Sequence, residues 1–445
     1  MATKIFSLKG ATGEAGPTGP PGPRTVSADS GNLARLGSDS LLYVPLPATP
    51  LAGTSGAGLL RQLSGNATDF ADGTNNYQDL GTASGPTIWS ARLRSYNSIG
   101  NATFEVDQRQ VGRSVAVGTS SVFAMDRWFA GLGGTLRYST QQLSENVLIP
   151  GTNYAITGKF LRITLTTPEA TLGASDWMGV WTLVEGALAR ALFGDVHSLS
   201  ILARSSLPNL NFGICFQDAG VTRSLGKTCT LKSSNTWSLL KLPNLPLWDA
   251  GATWSTGRGV IGYYLNIILA AGSSTVIPAN DSWVATGNGN PAGIDNFAAS
   301  PGGSTFDLAF IQHQPGPECG ALIELPFEEN LSACQRYFCK SNAYANLCPT
   351  SNDWTGIGMW INNSVAIRLN LQFPVEMAKV PAVTLYDNGV TANAVYPDYY
   401  GSKACSAGQF VTTAHCGYCS LNANPGSTGT NECGVLGQWK ADTGW

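Results

Sequence analysis

Apolar and polar positions alternate with period two over short runs through the middle of the chain. Phe306, Leu308 and Phe310 alternate with Asp307, Ala309 and Ile311; Leu199, Ile201 and Ala203 with Ser198, Ser200 and Leu202; Phe212, Ile214 and Phe216 with Gly213, Cys215 and Gln217. Runs of this length, bounded by Gly, Pro and Asn, predict half-buried antiparallel strands at the spacing of a sandwich. The pattern shifts phase near Phe160 within 157–167, as a β-bulge requires. Residues 89–330 are therefore expected to form one jelly-roll-like β-sandwich. Val365, Ile367, Leu369 and Leu371 alternate with Ala366, Arg368, Asn370 and Gln372, and a further run starts at Ala382. These place a small Cys-rich β domain at 331–445. After Tyr396 the chain reads as turns, with too few apolar residues to hold itself without crosslinks.

The N-terminal pattern is different. Gly10, Gly13, Gly16, Gly19 and Gly22 head five successive Gly-X-Y triplets rich in proline. Only glycine fits the crowded axis of three polyproline-II chains, so this period predicts a collagen-like homotrimeric run over 10–24, with a flexible Gly/Pro linker as the alternative. Residues 25–88 read as an extended β linker or trimerising segment. Its Pro45, Pro47 and Pro50 exclude a long helix, and its Gly-Asn, Asp-Gly and Asn-Asn dipeptides mark turns. The fold class is mainly β, an elongated homotrimer.

Composition narrows the functions. Charged residues make up 12% of the 445, against about 25% in an average soluble domain. A net charge of −3 without a basic cluster argues against nucleic-acid binding. With 43% hydrophobic residues the chain is not of disordered type. Its longest apolar run, Val260–Gly272, is shorter than the roughly 20 residues of a membrane-spanning helix, so no membrane insertion is expected. The start MATKIFSLKG lacks the apolar stretch of a signal peptide. Yet eight of the ten cysteines lie between Cys319 and Cys433, a concentration typical of proteins that work outside the cell. Synthesis in the cytoplasm and release by lysis, as for a virus particle, reconciles the two.

Catalytic and cofactor signals are weak. Gly257, Gly259 and Gly262 have dinucleotide-fingerprint spacing, but a strand-like run follows them instead of a helix. Gly220 and Gly226-Lys227-Thr228 have one residue too many for a phosphate loop and read as β-turn glycines. His197, His313 and His415 are far apart in sequence, the first two reading as half-buried strand residues. No G-x-S-x-G elbow is present. Glu328 and Glu329, if extended, point to opposite sides, whereas a glycosidase needs two carboxyls about 5–10 Å apart. No cofactor, bound metal or catalytic residue is expected. Cys405, His415, Cys416, Cys419 and Cys433 leave disulfides, structural zinc and free thiols open, because eight cysteines allow about a hundred pairings. The remaining signal is aromatic. Tyr396, Asp398, Tyr399, Tyr400 and Trp354 offer rings for the apolar faces of sugars and a carboxylate for their hydroxyls, while Trp360 and Trp439 read as core.

Three segments together carry a resemblance: the Gly-X-Y run followed by DSGNLARLGSDSLLYVP, then LLRQLSGNATDFADGT, then VWTLVEGALARALFGDVHSLSILARSS with FDLAFIQHQPGPECGALIELPFEENLSACQRYFCKS. They resemble tail fibres or receptor-binding proteins of tailed bacteriophages, including their carbohydrate-binding-like sandwich. MWINNSVAIRLNLQFPVEMAKVPAVTLYD is similar to the small domain that follows it in such proteins. The resemblance implies a homotrimeric virion fibre that attaches through residues 1–9 to tail or baseplate proteins. Its C-terminal domains would bind a host surface glycan or protein without catalysis. A structural adaptor binding other virion subunits and a polysaccharide-degrading fibre are the alternatives.

Overall fold

The computed structural model describes residues 96–156, 158–279, 282–287, 289–351, 357–362, 367–386, 394–398, 405–412, 414, 416–422 and 432–445, and four short strands before them. For 357–362, 367–370, 394–398, 405–412, 417–422 and 432–437 the backbone alone is described. The chain divides into two compact units, Met1–Gly85 and Pro86–Trp445. In the first, β1 (Arg35–Leu36) pairs with β2 (Leu42–Tyr43), and β3 (Asp69–Ala71) with β4 (Tyr77–Asp79), all antiparallel. Gly10, Gly13, Gly16, Gly19 and Gly22 lie outside the described residues.

The second unit contains β5 (Val115–Val117), β6 (Val122–Met125), β7 (Trp128–Gly133), β8 (Arg137–Ser144), β9 (Lys159–Thr167) and β10 (Trp177–Glu185). After the short helix α1 (Gly186–Ala189) come β11 (His197–Ser205), β12 (Leu210–Asp218), β13 (Ser224–Leu231), β14 (Ser238–Leu245) and β15 (Ile261–Ala271). A loop carrying β16 (Val276–Ile277) and β17 (Asn290–Pro291) leads to β18 (Thr305–Pro315). The strands form two six-stranded sheets, ordered β13-β12-β15-β10-β7-β6 and β14-β11-β18-β9-β8-β5. All pairings within them are antiparallel. The two inner faces enclose one apolar core, in which Trp128, Tyr138, Phe212, Phe216, Tyr263 and Phe306 are fully buried. This is the β-sandwich that the alternation predicts.

Three local readings are corrected in the second sheet. Val147, Ile149 and Ile156 pack there against Phe160, Leu202, Ala309 and Phe310, so β18 is buried on both faces instead of half-buried. A register shift at Leu202/Ala203 makes Ala309 an extra residue on β18 and inverts its alternation. Phe306 and Leu308 face the core, but Phe310 faces outward and Ile311 inward. Phe160 needs no bulge either, since it faces that same outer cluster while Leu161 faces the core. The irregularity between β8 and β9 sits at the other end, opposite Arg137/Tyr138.

Beyond the sandwich, α2 (Phe327–Gln335) takes up Glu328 and Glu329. They occupy its first turn, where a carboxylate meets the positive end of the helix dipole, and not an extended segment. Then follow β19 (Phe338–Lys340), β20 (Ile357–Asn362), β21 (Ile367–Gln372), β22 (Ala382–Tyr386), β23 (Ala394–Asp398), β24 (Cys405–Thr412), β25 (Cys416–Asn422) and β26 (Glu432–Asp442). The segment after Tyr396 is thus largely strand, contrary to the turn-rich reading. Its organiser is β26, which pairs with β19, β20, β22 and β23. Cys215, Cys229, Cys319, Cys334 and Cys339 are free thiols, so none of these five is a crosslink. Among the described residues no helix is long and apolar enough to cross a membrane.

Candidate functional site

The outer face of the first sheet carries a cleft walled by aromatic rings. Along β10, Met178, Val180 and Val184 point into the core, so Trp177, Gly179, Trp181 and Leu183 point outward. Opposite Trp177 and Trp181 on β7 stand Gly133 and Phe129, with Gly131 between them. A β-carbon on Gly131 would stand 3.0 Å from Trp181 Cη2, and one on Gly133 3.0 Å from Trp177 Cδ1. The missing side chains let both indoles lie across β7. Trp181 stacks on Phe129 at 5.7 Å and 9°, and its centroid is 5.8 Å from that of Trp177. Phe129 in turn packs on Phe123 at 4.4 Å.

Across the sheet the same rows continue through β15 and β12. Trp181 pairs with Asn266, and Asn266 with Cys215; Leu183 pairs with Tyr264, and Tyr264 with Gln217. Asn266 Nδ2 donates to Gln217 Oε1 at 2.9 Å and to the Cys215 carbonyl at 3.2 Å, and Gln217 Nε2 donates to the Gly287 carbonyl. The loop after β15 folds back over β12, where Pro291 occupies the space a side chain on Gly213 would need. Asn290 Nδ2 donates to Thr275 Oγ1 at 2.7 Å, tying that loop to itself.

Between the indole wall and this loop lies a cleft of about 500 Å³, floored by Asn266 and Ile268. Among the described residues its lining holds no Lys, Arg, Asp, Glu or His. Two ionisable groups of the described lining stay neutral: burial pushes the Cys215 thiol up, and burial, then the charge of Asp218, does the same to the Tyr264 phenol. The Asn266 and Gln217 amides, prealigned by their mutual bond, offer polar atoms beside flat apolar rings. The cleft can bind a neutral, ring-shaped, hydroxyl-rich molecule.

Other chemistry-bearing residues are placed differently. His197 and His313 are fully buried and not half-buried, and the fold brings them together: His313 Nε2 lies 2.7 Å from His197 Nδ1, and His313 Nδ1 2.6 Å from the Tyr263 hydroxyl. Desolvation pulls His197 down to about 3 and His313 well below its ordinary value, so both rings are neutral. They complete a sealed polar chain inside the core. Cys416 and Cys419 both lie on strand β25; the Cys419 side chain lies outside the described residues. No cluster of three metal-binding side chains occurs among the described residues.

Tyr396 and Asp398 fall on β23, paired with Leu436 and Gly434 of β26. Their side chains, and Trp354, Tyr399 and Tyr400 altogether, lie outside the described residues. The sequence reading missed Trp177, Trp181, Tyr264, Asn266 and Gln217. Their signal was parity: Trp177 and Trp181 share one face of a strand whose intervening Met178 and Val180 are apolar.

No protein family matches the chain, and no curated protein does. Among solved structures it is similar to the family 11 carbohydrate-binding module of the cellulosomal cellulase Lic26A-Cel5E of Clostridium thermocellum. That match has 12% identity and a TM-score of 0.24, over 47% of this chain and 98% of that one. TmCBM61, solved in complex with β-1,4-galactotriose, matches at 10% identity and a TM-score of 0.24, over 49% of this chain and 98% of that one. The enzymatically active domain of tailspike protein 4 of bacteriophage CBA120 matches at 12% identity and a TM-score of 0.24, over 49% of this chain and 21% of that one.

Proposed function

We propose that the chain is a non-catalytic, glycan-binding tail-fibre protein of a bacteriophage virion, and that an uncharged saccharide lies in the cleft along Trp177 and Trp181. The carrying observation is the pair of indoles laid across Gly131 and Gly133 opposite the amides of Asn266 and Gln217. Sugar rings present apolar C–H faces to aromatic rings and hydroxyls to amides, which is the division of chemistry on the two sides of this cleft. An acidic sugar would desolvate its carboxylate against a lining whose described residues include no cation, an uncompensated cost.

The fibre part of the reading rests on the sequence: five Gly-X-Y triplets, low charge and the resemblance along most of the chain. Three copies joined by the N-terminal run would raise the strength of weak single sites through effective concentration. The protein would be made in the host cytoplasm, held on the tail through residues 1–9, and act outside the cell.

The test is electrophoresis of the purified chain through gels containing neutral bacterial polysaccharides, with Trp177→Ala and Trp181→Ala run alongside. Retardation of the wild type and its loss in both variants is expected. Equal retardation of all three refutes the placement in the cleft, and release of reducing ends refutes the non-catalytic reading.

A further inference from the structure

Where the cleft ends, the C-terminal sheet begins. Leu183, the next outward side chain after Trp181 on β10, is buried in a cluster with Tyr337 and Trp445, and Trp181 and Tyr264 pack against that cluster. Tyr337 and Trp445 stack at 6.1 Å and 19°. Tyr337 is itself held on the sandwich: its hydroxyl donates to Glu185 Oε2 at 2.5 Å, and the Arg127 guanidinium lies 3.6 Å over its ring. Arg127 also donates to the Leu183 carbonyl.

A second route reaches the same indole. Arg109 binds both carboxylate oxygens of Asp442, at 2.5 and 3.0 Å. Its guanidinium lies 3.4 Å from the ring of Phe123 and 4.2 Å from that of Phe338. Phe123 packs on Phe129, and Phe129 stacks on Trp181. Two residues at the end of β26 and just after it, Asp442 and Trp445, therefore approach Trp181 from two sides through Arg109–Phe123–Phe129 and through Leu183.

We propose that the C-terminal sheet is part of the saccharide site, with Asp442 and Trp445 as positioning residues that fix Trp181 for the sugar. This rests on the glycan-binding reading above. The ligand need not touch either residue. The sandwich acquires its binding shape only with the C-terminal sheet docked, and whatever loosens that sheet weakens the grip on the glycan.

The experiment uses the full chain labelled with 5-fluorotryptophan, the Trp181 signal being assigned from Trp181→Phe. The probe is a set of neutral hexasaccharides (cello-, xylo- and β-1,4-galacto-hexaose), titrated into wild type, Trp445→Ala, Trp445→Phe, Leu183→Ala and Asp442→Asn. Trp445→Ala, Leu183→Ala and Asp442→Asn are expected to move the Trp181 fluorine signal and weaken binding about three- to tenfold, the worth of an aromatic contact. Trp445→Phe restores most of both. If Trp445→Ala does not fold, Leu183→Ala and Asp442→Asn carry the test, since Leu183 belongs to β10 of the sandwich and Asn keeps the shape of Asp442. Unchanged affinity in those two, or weaker binding with an unmoved Trp181 signal, overturns the proposal. Binding that survives Trp177→Ala and Trp181→Phe unchanged instead refutes the underlying glycan site.

Discussion

Trp181 lies over Gly131 so closely that Cη2 stands 3.0 Å from the place of a β-carbon. Such a contact is tighter than ordinary van der Waals packing and allows almost no added atom without lifting the indole. Gly131→Ala is expected to tilt Trp181 and weaken saccharide binding severalfold, and Gly131→Val to abolish it. Trp181 is only half-buried, so the thermal midpoint should shift little in the Ala variant. Calorimetric titration with denaturation scans on the same samples checks both. Full affinity in Gly131→Val contradicts the role given to the ring.

Saccharide affinity should be flat between pH 5 and 8. The described lining of the cleft carries no charged side chain, and its thiol and phenol are both pushed further from that range. Titration across the range should find changes of no more than about twofold, a few tenths of a kcal/mol. A steep dependence would place a carboxylate or imidazole in contact with the ligand.

Stability, in contrast, should depend on pH through the core histidines. Burial holds His197 at about 3 and His313 well below 6.5, so between these values and 6.5 the unfolded chain binds protons that the folded chain refuses. Their contribution is complete above about pH 6.5 and is lost as the pH falls toward about 3. Asp126 works in the opposite sense. Burial raises its pKa from 3.8 to about 7, so acidification from 7 to 4 favours the folded form at that group. Asp126→Asn should therefore lose stability more steeply than wild type between pH 7 and 4 in urea titrations. Nitrogen-15 spectra of the folded protein should show both imidazoles neutral at pH 5. A ring titrating near 6.5 would contradict the sealed pair.

Asp307 provides a control on the opposite sheet. Its carboxylate, 1% exposed, accepts hydrogen bonds from Arg162 Nε and Nη2 at 2.8 Å and from Arg204 Nε at 2.7 Å. Asp307→Ala leaves two partly buried guanidiniums short of a partner. It should cost about 2–4 kcal/mol, below a fully buried pair because Arg162 is 30% exposed. Denaturant unfolding should register that loss while saccharide affinity measured on the folded fraction stays unchanged. Loss of affinity at equal folding would mean that the second sheet also reads the ligand.

The sandwich was legible in the sequence because period-two alternation survives wherever one face of a strand is buried and the other is open. Phe212, Ile214 and Phe216 do face the core, although the loop after β15 also covers Gly213 and Cys215 on the other face. The alternation broke at Phe310, where one extra residue turns the strand over, and at Phe160, where a long-range cover makes both faces apolar; neither cause is local. The histidines failed for a related reason, since the distance from His197 to His313 in the chain says nothing of their pairing across adjacent strands. The cleft was partly legible. Trp177 and Trp181 share a strand face, but that this face stays open depends on Gly131 and Gly133 of another strand. Aromatic composition points instead to Tyr396–Tyr400.

The most direct test is a crystal structure of the chain with a bound neutral oligosaccharide. A pyranose ring on Trp177 or Trp181 is expected, with its hydroxyls within hydrogen-bond distance of Asn266 or Gln217. A saccharide bound elsewhere with the cleft empty, for example beside Tyr396 and Tyr400, would contradict it.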